Sequence, residues 1–105
     1  MVDRGRHHWK PPGRETKVIF RTYPDGEVIA LFPEIPEGES GAACSSYMLV
    51  GQHGSAACEE IIYETRPSTT REYARIKREL EGIGYTLDVR KRITTAMRVE
   101  RWAQA

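Results

Sequence analysis

No apolar run in the chain approaches the roughly 20 residues that span a bilayer. The N-terminal stretch, MVDRGRHHWKPPGRE, has no apolar segment behind its basic groups. Neither a membrane span nor a secretory leader is therefore expected, and a soluble cytoplasmic protein is the expectation. Cysteine is scarce. Cys44 and Cys58 are too few for a disulfide framework, and in a reducing compartment both are expected as thiols that pack as small buried side chains. Phosphate-loop and dinucleotide-binding patterns are missing, as is the RNA-recognition sheet motif. A structural zinc site wants four ligands in paired short spacings. Cys44, His53 and Cys58 supply three, so no metal is expected, and no cofactor is implied. A Cys44–His53 nucleophile pair is a weaker reading still, because the two are expected far apart along one extended stretch.

What is present belongs to one ordinary folded domain. The chain has 105 residues, 39% hydrophobic and 30% charged, which suits a single modest core. Its formal net charge of +1 is unevenly spread. Residues 1–16 carry four basic groups against two acidic ones, a net of +2. Residues 90–105 carry five against one, a net of +4, which leaves −5 for residues 17–89. An acidic body thus bears basic ends, of the kind that either lie in solvent or contact nucleic acid or an acidic protein.

Residues 1–16, with Pro11, Pro12 and Gly13, read as a flexible basic arm in which Trp9 stands out. Residues 17–93 read as the folded domain, and residues 94–105 as a tail compatible with helix. KVIFRTY and EVIALF flank Pro24-Asp25-Gly26, a β-hairpin with a bulge-type turn. Pro33 to Gly41 reads as a loop, because two prolines oppose strand pairing. Cys44 to Val50 reads as a third strand. SAACEEIIY reads as a short helix capped by Ser55, with an edge strand over Glu60–Thr65 as the alternative. Thr69 with Glu72 makes a capping box for the main helix, whose apolar stripe is Tyr73, Ile76, Leu80 and Ile83. Gly82 is placed as its left-handed cap. Tyr85 to Ile93 alternates like a strand with one solvated face. The fold class expected is therefore α+β. It is a two-layer sandwich whose mainly antiparallel sheet of about four strands is covered by one main helix. The second sheet face would then need a second copy of the chain or the terminal arms to cover it.

The candidate site is Gly51, Gln52, His53, Gly54 and Ser55, read as a loop where the third strand ends. Flanking glycines let backbone amides approach a ligand. A helix starting at Ser55 would favour a small anion such as a phosphate, and His53 titrates near neutral pH. The competing reading is a tight turn with a packed histidine. Glu59, Glu60 and Glu64 would share a helix face, either as paired carboxylates or as a solvated surface. Arg90 and Arg92 fall on one strand face and, with Arg21 nearby, form a thin basic stripe for nucleic acid.

Three runs, VIFR-x-Y-x-DGEVIALFPEIP, SSYMLVGQHGSA and EL-x-GIGYTLDVRKR, resemble a small family of uncharacterised proteins associated with phages and bacterial mobile elements. The likeness covers about residues 17–92, and IALFPE and VGQHG are its most distinctive pieces. It implies a short accessory protein that binds a host protein, a nucleic acid or a small signalling molecule, and it carries over no catalytic residue. The expectation is a non-enzymatic binding module with a protein partner, a homodimer included. The alternatives are a small-molecule or nucleotide-binding protein, hydrolases included, using residues 51–55, and nucleic-acid binding through the basic ends.

Overall fold

The hairpin expected around Pro24-Asp25-Gly26 is the centre of the sheet. In the computed structural model, which describes residues 15–38, 41–49 and 52–105, β1 (Thr16–Thr22) pairs antiparallel with β2 (Val28–Pro36), with Thr22 opposite Val28. Gly26 takes φ +95° and donates its N–H to the Tyr23 carbonyl at 2.9 Å. The Asp25 carboxylate accepts from the Glu27 N–H at 3.0 Å, which closes the turn. β2 does not stop at Pro33 as expected. It runs on to Pro36, because the register against β3 (Cys44–Met48) shifts between Phe32 and Pro36. A bulge is the one interior position of a sheet that tolerates proline.

β4 (Gln52–Ala56) returns antiparallel along β3, so the stretch expected as a loop is the strand that ends the sheet. Helix α1 (Cys58–Glu64) follows, with Ala57 rather than Ser55 at its N-cap and no side-chain cap bond. β5 (Arg66–Pro67) pairs with the end of β1. α2 (Thr70–Ile83) opens on the expected Thr69–Glu72 capping box. It ends two residues later than Gly82 suggests, at Gly84 with φ +129°. β6 (Leu87–Arg90) is shorter than expected and lies parallel to the start of β1, so β5 and β6 share one edge of that strand. α3 (Thr95–Gln104) closes the chain behind its own Thr94 cap.

The fold is α+β on a mainly antiparallel sheet, in the order β4-β3-β2-β1-β5 with β6 beside β1. Strand alternation sorts the core in two. Val18, Phe20, Ala30, Phe32 and Tyr47 meet Ile76 and Leu80 of α2 on one face. Ile19, Ile29, Leu31 and Cys44 meet Cys58, with Ile61, Ile62 and Ile93, on the other. The sandwich expected from one helix is thus extended by α1 and α3 on the second face. With those helices there, a bare apolar face no longer calls for a second copy. Among the described residues no helix is long and apolar enough to cross a membrane.

Candidate functional site

The two cysteines, expected as thiols, form a disulfide. The β3–β4 register sets Ala56 opposite Cys44, and α1 begins two residues later, which brings the Cys44 and Cys58 Cα atoms to 5.9 Å. Both residues are 0% exposed. The bond ties the base of β3 to the first residue of α1, and it removes both cysteines from any metal-ligand set or nucleophile pair. Among the described residues no group of three or more His, Cys, Asp or Glu is placed to hold a metal.

Polar contacts at both ends fix α1 besides the disulfide. Arg21, buried on the same face, donates from Nε to Thr65 Oγ1 at 2.9 Å, and from Nη2 to the Ile62 and Thr65 carbonyls at 2.9 and 2.6 Å. It thereby satisfies carbonyls that a helix end leaves without partners. Burial lowers the Arg21 pKa from its ordinary value. At the other end Glu59 accepts from Arg98 Nε at 2.6 Å and lies 3.6 Å from Arg101 Nη2. Burial pushes the Glu59 carboxyl up, but the Arg98 hydrogen bond and the Arg101 and Arg98 charges outweigh it, so its pKa is lowered. Arg101 is 2% exposed and donates to the Gly41 and Pro33 carbonyls at 2.8 and 3.0 Å. Trp102 closes over Gly41, where a Cβ would meet its ring at 2.7 Å.

With α1 held at both ends, part of the second face stays open above it. A groove of about 410 Å³ lies there, between α1 and the β3–β4 hairpin. Ile29, Met48 and Ile61 make its apolar floor, Gly54 and Ala56 of β4 its outer side, and Tyr23, Glu60 and Glu64 its polar rim. The Tyr23 phenol pKa is raised by burial first, then by the charges of Glu64, Asp25 and Glu27. A second, wider groove of about 570 Å³ lies on the α2 side of the same sheet end, with Asp25, Glu27 and Glu72 on its lining. Met48 lines both grooves.

Of the expected site, Gly54 lines the first groove. Gly51 and the side chains of Gln52, His53 and Ser55 lie outside the described residues; the backbone of 52–56 is strand. The anion reading loses its helix terminus, because α1 starts at Cys58 and has seven residues. Arg90 of the expected basic stripe is held by Asp88 through Nε and Nη2 at 2.9 and 2.8 Å. Arg92 is exposed and Arg21 is buried against α1. Glu60 and Glu64 were legible as one helical face, but the floor beneath them was not, because Ile29, Met48 and Ile61 converge only through pairing. Comparison with family models, with curated proteins and with solved structures finds no match.

Proposed function

We propose that this chain is a small non-enzymatic binding module that takes a protein partner into the groove between α1 and the β3–β4 hairpin. One observation carries the reading. A strand glycine, Gly54, and three apolar side chains leave a preformed hollow of about 410 Å³ open beside the end strand of the sheet. Preformed apolar hollows with a few polar groups at the rim are where ligands are held. The resemblance of IALFPE and VGQHG adds that the partner is a host protein met by a phage or mobile-element accessory protein. IALFPE lies within β2, and Gln52, His53 and Gly54 of VGQHG lie in β4. The buried Cys44–Cys58 bond supports an oxidising working compartment rather than the cytoplasm.

A photo-cross-linking residue at Ala57, which is exposed on the groove, tests this in the native host. The reading expects one discrete protein adduct there. It expects none from the same residue placed at Gly82, which is exposed on α2 with open space around it. The same adducts from both positions, or none from Ala57, would overturn it.

A further inference from the structure

Resting on that groove reading, we infer that the occupant is an amphipathic helix of the partner, with two basic side chains one turn apart, lying along the flank of α1. α1 crosses the second sheet face obliquely. Its first residue, Cys58, is bonded to Cys44 of β3, and its last turn is held by Arg21 of β1. The groove follows that flank over the same strands. Gly54 and Ala56 of β4 line one end, Met48 of β3 and Ile29 of β2 come next, and Tyr23, just past β1, lines the other. On α1 itself Glu60 stands nearer the β4 end, and Glu64 stands by Tyr23, whose phenol feels its charge.

Direction decides the conformation of the occupant. A segment lying in this groove runs across the strands, not along them. The backbones of β2 and β3 already pair with strands on both sides, so the floor offers a crossing chain no ladder to join. An extended segment would press its amides against Ile29, Met48 and Ile61, and burying amides on apolar side chains is costly. A helix satisfies its own backbone and presents only side chains.

Charge and spacing decide its sequence. Glu60 and Glu64 are exposed, line the groove and stand one turn apart on α1, about 6 Å along its axis. Basic side chains one turn apart on a helix packed at about 8–10 Å from α1 meet both carboxylates. Asp25 and Glu27 add to the negative field at the same sheet end, and both, with Glu64, raise the Tyr23 phenol pKa. The opposite flank of α1 supplies the precedent. There Glu59 faces α3 and is met by Arg98 and Arg101, two basic residues of one helix. The partner helix repeats that pairing on the open flank, with its apolar row on Met48 and Ile61.

The test uses the full chain and a fluorescein-labelled peptide of two Leu-Lys-Ala-Ala-Leu-Lys-Ala-Ala repeats, all good helix formers, read by anisotropy. Saturable binding that weakens with salt is expected. The same peptide with glutamate for every lysine is expected to bind at least about tenfold more weakly. So is a lysine peptide with a proline in the middle of each repeat, which keeps the charge and breaks the helix. The double change Glu60→Lys, Glu64→Lys is expected to reverse the charge preference. Gly54→Val puts bulk on the groove side, where a Cβ meets only the Ser46 hydroxyl, at 3.5 Å. It is expected to weaken the lysine peptide by about tenfold or more with the melting temperature unchanged or raised, because a β-branched residue suits a strand. No binding of the lysine peptide, equal affinity for its glutamate or proline form, an unchanged preference in the double variant, or wild-type affinity in Gly54→Val would each overturn the inference. A persisting Ala57 adduct beside any of those results removes the basic helix and leaves the groove reading standing; loss of the adduct removes both.

Discussion

Arg98 and Arg101 stand one turn apart on α3 and share the Glu59 carboxylate, but burial separates their contributions. Arg101 is 2% exposed and satisfies two backbone carbonyls, those of Gly41 and Pro33. Removing it takes the Arg101 donors away from both carbonyls. Arg101→Met is therefore expected to cost about 2–4 kcal/mol, read as a lower urea midpoint. The Arg98 side chain is 42% exposed against a half-exposed Glu59. Arg98→Met is expected to cost less than about 1 kcal/mol. Equal losses would mean that the shared carboxylate, not the carbonyls, is what the tail contributes. None of this shows in the sequence, where the two arginines count simply as charge in a basic end.

α1 shows at the scale of an element why propensity was a poor guide. Its seven residues are too few for a stable isolated helix, and no side chain caps its start. It exists because Cys58 is bonded to Cys44, Arg21 binds its last carbonyls, and Glu59 meets α3. The acidic run and the Ile61-Ile62 pair could suggest helix, but the tethers come from residues 14 or more positions away. Replacing both cysteines by alanine is expected to cost about 3 kcal/mol for a loop of this length. Amide exchange should then quicken in α1 well before α2. Equal protection of α1 with and without the bond would refute that tethering role. By contrast α2 was legible from Thr69, Glu72, Ile76 and Leu80, because its cap and stripe lie within its own sequence.

For the whole molecule, acid sensitivity follows from carboxylates paired in the fold. The Arg66 hydrogen bond, joined by the Thr69 amide, holds the Glu72 carboxyl at about 2 against an ordinary 4.5. Glu59, and Asp88 beside Arg90, are also lowered. A folded-state pKa below the unfolded one contributes stability that is complete above the unfolded value and is lost as pH falls through the folded one. Stability is thus expected to hold level near neutrality and to decline from about 4.5 towards 2. Glu72→Gln is expected to flatten part of that decline in urea midpoints taken across acid pH. An identical decline in the variant would show that the Arg66 pairing does not survive in solution.

The sequence by itself determined the hairpin at Pro24-Asp25-Gly26, the capped α2 and the α+β class, because turn chemistry, caps and helical stripes are written in neighbouring residues. Tertiary structure alone decided that prolines could sit in a β2 bulge, that residues 52–56 would become the end strand, and that Cys44 would meet Cys58. Those outcomes depend on which strand lies beside which, and strand partners are chosen by burial across the whole sheet. The groove belongs to the second group: its floor, rim and edge come from four separate elements, and only their packing makes them one surface.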